Sequence, residues 1–303
     1  MLKLARNLVL LGFLVMLVMT LIVLLSPYDD ENYMAAAVDK HHMLVSVPSP
    51  RIILVGGSNI AFSVDSQMMA QHFGLPVINM GLNIDLGLRY MLNEVRPALR
   101  NGDILLIFPE YAHFSGISLD GRARELGTLI RSCPECITGI STPTQAYHVV
   151  AGIFQALDGK NPRSLNDPIY YRHGFNAWGD MVAHLDQPSP EDFDRAIPNI
   201  EVSSPNPAVE LLNTFYRSLD GTGVQVFLVY PAIPINIYKS QQENLITLDN
   251  LIKTEMEFPV IGTPKDFIYA SKYFYDTTYH MGREGRELHT EHVIDMLPLV
   301  PLK

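Results

Sequence analysis

The stretch Arg51-Ile-Ile-Leu-Val-Gly-Gly-Ser-Asn59 decides how this chain is read. Residues 51–55 are a continuous apolar run after the leading arginine, the pattern of a strand buried on both faces. Two glycines and a serine then stop the run and open a sharp turn. Working outward, residues 66–73 carry apolar positions at helical spacing, and residues 76–79 make a second short strand ending at Met80-Gly-Leu-Asn83. Residues 87–99 read as a helix halted by Asn101-Gly102, and residues 103–108 as a third strand. Strand, helix, strand, helix, strand at this pace predicts a parallel sheet with crossover helices.

The alternation pauses after Phe108. Residues 115–207 are rich in Gly, Pro, Asn, Tyr and His, with only residues 144–157 convincingly helical, so they read as an insertion over the sheet. Residues 209–219 (helix) and 224–230 (strand) restore the alternation, and helices at 241–257 and 284–297 complete it. The expected fold class is α/β, a flavodoxin-like three-layer sandwich with a central parallel sheet over residues 51–303.

A chain of 303 residues with 48% hydrophobic content has ample material for one such core. The formal charge of −10 and the lack of Lys/Arg clusters exclude a nucleic-acid surface, which needs a basic patch to displace counterions. Residues 8–25 hold no charged side chain, a run of roughly 27 Å as a helix. Lys3 and Arg6 precede it while Asp29, Asp30 and Glu31 follow, so the positive-inside rule leaves residues 1–7 in the cytoplasm. The expectation is a single-pass protein of the cell (inner) membrane, with a transmembrane signal anchor at 8–25, a stalk at 26–50 and the main domain extracytoplasmic. The competing reading is a cleaved signal peptide with Ala35-Ala36-Ala37 as its site, which also exports the domain.

Cys133 and Cys136 are the only cysteines. In an exported chain they read as a local disulfide pinning a loop. His113 and His148 flank them, yet the spacing fits no zinc finger or ribbon, and the mid-chain position argues against thioredoxin-type chemistry.

A serine hydroxyl needs a base within hydrogen-bond reach, a carboxylate to orient that base and donors for the developing oxyanion. Ser58 follows Gly56-Gly57 at the end of a strand. His280 lies far downstream in Tyr275-Asp-Thr-Thr-Tyr-His-Met-Gly282, just before the last helix, with Asp276 four residues ahead of it. An open parallel sheet brings such distant residues together at the carboxyl ends of its strands. The assignment is therefore Ser58 as nucleophile, His280 as base and Asp276 as orienting carboxylate, with Gly81, Asn83 and Asn59 as candidate oxyanion donors. The position two after Ser58 is Ile60, so the Gly-x-Ser-x-Gly elbow is absent, and no dinucleotide or Walker A loop fits residues 55–62.

Three blocks, Gly56-Gly-Ser-Asn59, Asn79-Met-Gly-Leu-Asn83 and Asp276-Thr-Thr-Tyr-His280-Met-Gly, resemble the SGNH (GDSL-like) hydrolase superfamily. The likeness is to its membrane-anchored, extracytoplasmic branch, which includes the DltD and alginate O-acetylation proteins. It covers residues 51–110 and 206–297. Two places depart from the family pattern. The usual Gly-x-Asn-Asp block after the third strand reads Phe108-Pro-Glu-Tyr-Ala112 here, and the usual Asp-x-x-His is one residue longer. Asn83 or Asn59 could stand in for the missing asparagine.

The resemblance implies a serine acyltransferase or esterase that moves an acyl group, acetyl above all, on a cell-surface or exported polysaccharide. Its substrates would be a glycan and an acyl donor, its natural partner a membrane-embedded acyl exporter, and it would need no metal or organic cofactor. Glu110, Tyr111 and Trp178 are candidate substrate contacts, and Arg283 and Arg286 are expected to face solvent or pair with nearby acids. The alternative is a non-catalytic scaffold of the same fold that binds a polysaccharide or secretion partner.

Overall fold

The computed structural model describes residues 2–25, 30–157, 167–188 and 200–299. It opens with helix α1 (Leu2–Leu25), which contains the whole charge-free run. A 3-10 turn at Tyr33–Ala35 leads into α2 (Ala36–Ser46), then β1 (Ile52–Gly56), α3 (Ser58–Ser63), α4 (Ser66–Phe73) and β2 (Val77–Asn79). There follow α5 (Leu88–Val95), β3 (Ile104–Phe108), α6 (Tyr111–Phe114), α7 (Ala123–Ser132), α8 (Pro143–Leu157) and α9 (Pro207–Arg217). The chain closes through β4 (Gln225–Val229), β5 (Ile233–Pro234), α10 (Ile235–Ser240), α11 (Gln242–Glu255), β6 (Val260–Ile261), β7 (Ile268–Tyr269) and α12 (Arg283–Met296).

Five strands pair in the order β2-β1-β3-β4-β6, all parallel. The connection β1 to β2 steps one way along the sheet and the return to β3 steps the other. Because such crossovers are right-handed, their helices fall on opposite faces, consistent with a three-layer sandwich. The reversal lies between β1 and β3, the place where open α/β sheets leave a crevice at their carboxyl ends. Every residue of these two central strands is buried, which is why both read as unbroken apolar runs. β5 and β7 form a separate parallel pair.

Several segments differ from the sequence reading. The supposed stalk is part of the domain: Tyr33 and Met34 of the 3-10 turn join the core, as do Ala36, Ala37 and Leu44 from the inward face of α2. Ala35, Ala36 and Ala37 are therefore buried; residues 26–29 of that stretch lie outside the described residues. Within the insertion α7 forms a second helix, packed so tightly on α8 that a Cβ on Gly152 would overlap the Ala123 carbonyl. The insertion's residues 158–166 and 189–199 lie outside the described residues. Of the two alternatives for Arg286, pairing with acids is the one observed: it is buried, donating to Asp180 Oδ2 at 2.8 Å and to the Val64 carbonyl at 2.8 Å. Arg283 pairs with exposed Asp186.

Counting only residues whose side chains are described, no helix is long and apolar enough to cross a membrane. Part of α1's side chains fall outside that count, and those described, such as Leu10, Phe13, Leu14 and Leu17, are exposed.

Buried Arg51 joins α2 to the sheet. Arg51 donates to the carbonyls of Leu44 (2.6 Å), Val47 (2.7 Å) and Ala98 (2.8 Å) and lies 3.4 Å from Asp103 Oδ2. Removing one member of a buried pair strands the other charge, a loss of about 3–5 kcal/mol. Arg51→Met is expected to lower the urea midpoint of the chain accordingly, followed by the fluorescence of Trp178, its only tryptophan. An unchanged midpoint would contradict this role.

Candidate active site

β1 delivers Ser58 to the first position of α3, with Gly57 as N-cap and the serine partly exposed. Glycine is required at Gly57 by close approach, since a Cβ there would overlap Glu110 Oε1 and come within 3.0 Å of the Ile84 nitrogen. Gly81 is needed for the same reason on the far side of the turn, where a Cβ would lie 2.8 Å from both the Gly57 carbonyl oxygen and the Ala61 nitrogen.

The loop carrying His280 lies on α3. The imidazole stacks on the Phe62 ring with centroids 3.8 Å apart and planes 11° from parallel. Phe62 is one helical turn after Ser58, on the same face, and helical side chains lean toward the N-terminus, so His280 sits over the Ser58 face of α3. Ser63 Oγ donates to the Tyr279 carbonyl at 2.6 Å and ties the loop down at the helix's other end.

His280 Nδ1 is 2.7 Å from Asp276 Oδ1, which leaves Nε2 as the nitrogen for substrate or serine. Among the described residues no hydrogen bond joins Ser58 Oγ to that ring. Asp276 Oδ2 accepts from the Tyr170 hydroxyl, which also lies 3.2 Å from His280 Nδ1. Burial pushes the Asp276 carboxyl up, but the hydrogen bond and charge of His280 and the hydrogen bond from Tyr170 outweigh it and hold it below the usual value. The longer Asp-x-x-x-His spacing thus still closes the pair.

The candidate oxyanion donors fare differently. The Gly81 N–H is committed to Asn79 Oδ1 at 2.9 Å. Asn59 turns its side chain inward and donates to the Phe108 carbonyl at 3.1 Å. Asn83 is half-buried on the loop with its carboxamide oxygen accepting from the Asp85 nitrogen at 2.8 Å. Asn79 is the organiser: its Nδ2 donates to the Ile60 carbonyl and to Asp180 Oδ1, both at 2.9 Å, which locks the end of β2 to α3.

Glu110 and Tyr111 do not form a solvated surface loop. Tyr111 is fully buried in the core, its hydroxyl 3.5 Å from the Pro231 carbonyl. Glu110 is buried too, and burial, aided by the charge of Asp85 and against the Asn59 N–H, pushes its carboxyl up to about 8. Trp178 is half-buried, and its backbone carbonyl accepts the Asn79 N–H at 2.8 Å, extending β2.

Three participants escape sequence reading. Tyr170 and His184 come from the insertion, and Phe62 reads as ordinary core until the histidine is seen on it. His184 packs 4.7 Å from Phe62 and bonds the Met281 carbonyl at 2.8 Å. Burial pushes it down to about 4, so it is neutral at pH 7. Cys133 and Cys136 are joined in a disulfide. Among the described residues His41, Glu94 and Cys136 form the one grouping with metal-ligand atoms within 4.8 Å, and its sulfur is the disulfide's. A cleft of about 610 Å³ lined by His41, His42, Arg172 and His173 includes neither Ser58 nor His280. Comparison with known proteins finds no family model and no curated protein that matches the chain.

Tyr170→Phe removes one of the groups that keep Asp276 ionised. A carboxylate whose folded pKa is depressed stabilises the fold above its unfolded value near 4 and loses that contribution as pH falls through the folded value. The variant is expected to be less stable by about 1.5–3 kcal/mol at pH 7, with the gap narrowing toward pH 3. Equal stability at pH 7 in urea titrations would contradict the contact.

Proposed function

We propose that the chain is an SGNH-type serine acyltransferase or esterase, anchored in the cell membrane by α1 and acting outside the cytoplasm on the acyl groups, acetyl first, of a cell-surface or exported polysaccharide. The observation that carries this reading is the placement of His280, bonded through Nδ1 to Asp276 and stacked on Phe62 over the Ser58 face of α3. Ser58 Oγ adds to the donor's carbonyl carbon while its proton passes to His280 Nε2. Collapse of the adduct expels the donor's leaving group with that proton and leaves an acyl-serine. A sugar hydroxyl or water, deprotonated by the same nitrogen, then takes the acyl group. No metal or organic cofactor enters these steps.

Anchoring is supported by the charge-free helical run and its flanking charges, and by exposed apolar side chains that a soluble monomer rarely displays in such number. The disulfide fits an oxidising compartment. Held at the bilayer, the enzyme favours transfer over free hydrolysis and would receive its acyl group from a membrane-embedded exporter. One observation favours the second reading, a scaffold binding the glycan or a secretion partner without chemistry: Ser58 Oγ is not bonded to the histidine.

The two readings separate on intact-mass analysis of the full chain in detergent after a fluorophosphonate and, separately, an activated acetyl ester. A single adduct on the wild type that Ser58→Ala lacks is expected. No adduct on folded protein with either reagent would overturn the nucleophile and favour the scaffold.

A further inference from the structure

Gly56 pairs with Phe108 at the end of the β1–β3 ladder, so the turn that carries Ser58 and the segment that carries Glu110 leave neighbouring strands side by side, at the crevice where the sheet reverses. The Glu110 carboxyl is folded back beneath the serine turn, occupying the space a side chain at Gly57 would fill. Its Oε1 finds no hydrogen-bond partner among the described residues, although the residue is only 3% exposed. A buried polar atom left unpaired next to a nucleophile is a place for a group that arrives with the substrate. Of the donors expected to fill that role, the Gly81 N–H is spent on Asn79 and the Asn59 side-chain amide on the Phe108 carbonyl, which leaves only the Asn83 Nδ2.

We propose that Glu110 is the acid of the oxyanion site, its carboxyl group donating a hydrogen bond to the oxygen that becomes negative when Ser58 adds to an ester carbonyl. This rests on the serine-nucleophile reading above. The balance is simple. The Oγ–C bond forms, the carbonyl π pair moves onto oxygen, the serine proton goes to His280 Nε2, and the Glu110 proton stays on its carboxyl while bridging to the oxyanion. When the intermediate collapses the pair returns, the leaving group departs with the histidine's proton, and Glu110 is unchanged.

Burial and the Asp85 charge favour the protonated form, against the backbone N–H groups of Asn59 and His113 that the side chain accepts. The charged and titratable groups facing Glu110 are Asp85 on the loop after β2, Tyr279 on the His280 loop and His113 on its own helix. No cation pairs with it among the described residues. Asp85 opposes its ionisation. His113 is pushed down to about 4 by burial, while burial and the Glu110 charge raise the Tyr279 phenol, so neither titrates between pH 7 and 9. Buried Lys40, pushed down to about 7, donates to the carbonyls of Asn79 and Gly179 and is retained in the variants below.

The test is the rate of fluorophosphonate labelling of the full chain in detergent from pH 6 to 9.5, corrected for reagent hydrolysis. Ionisation near the value that burial sets for Glu110, about 8, leaves roughly one part in thirty protonated at pH 9.5. The wild-type rate should therefore fall about thirtyfold from its maximum. Glu110→Gln, which keeps a permanent donor, should label at pH 7 and lose the alkaline fall; Glu110→Leu should label poorly at every pH. A wild-type rate that stays flat to pH 9.5, or an alkaline fall that Glu110→Gln retains, would overturn the proposal. Should Glu110→Gln fail to fold, infrared spectra of the wild type decide. A protonated-carboxyl band at pH 7 that shifts when the phosphonate binds supports the role, and its absence sinks it. Wild type that labels at no pH overturns the nucleophile reading itself, a result separate from labelling without an alkaline fall.

Discussion

The stack of Phe62 on His280 is the contact on which the rest of the site depends. α3 is only six residues long and has no independent stability. It is held because the loop carrying His280 lies on it, with Ser63 bonded to the Tyr279 carbonyl and the imidazole on the Phe62 face. The same contact fixes the histidine. An imidazole with Nδ1 on Asp276 could still swing about that bond, and a ring 3.8 Å away removes that freedom. Position and tautomer are set together, as a general base at a serine requires.

Behind this contact a buried polar network carries the load between β2, α4 and α12. Asp180 accepts from Ser66 Oγ at 2.5 Å, from Asn79 Nδ2 at 2.9 Å and from Arg286 Nη2 at 2.8 Å. Asn79 in turn fixes Gly81 and Ile60, so the turn after β1 and the loop after β2 cannot move separately. On the other side the segment after α1 is built into the site. The Tyr33 hydroxyl donates to the Leu82 carbonyl at 2.6 Å, and its ring lies 5.5 Å from Tyr170, which reaches Asp276. Arg172 adds a two-pronged pair to Asp39 at 2.7 and 2.8 Å. What reads as a tether in sequence is thus a brace for the insertion's contact with the Asp276–His280 pair.

The parallel sheet was legible because strands buried on both faces must be continuously apolar, and residues 52–55 and 104–108 are. Ser58, Asp276 and His280 could be named because glycines before a serine and an Asp/His loop before a helix are local signals. β6 and β7, at two residues each, were too short to show any period. α7 was obscured by Gly127, whose role is to admit Gly152 of its partner helix, a tertiary fact no local window contains. Tyr170 lay hidden for the same reason, among aromatic residues with nothing in their spacing to mark which one meets a carboxylate. The enclosure of Glu110 is not legible: a charged residue after a strand is ordinarily solvated, and only the fold shows that this one is buried.

The central claim is that Ser58, His280 and Asp276 act on one reacting carbon, and the most direct test is the structure of the full chain after reaction with a fluorophosphonate. The account predicts phosphorus bonded to Ser58 Oγ, His280 Nε2 within hydrogen-bond reach of the adduct and Nδ1 still on Asp276. A phosphonate on another residue, or on Ser58 with the imidazole turned away and the Phe62 stack intact, would contradict it.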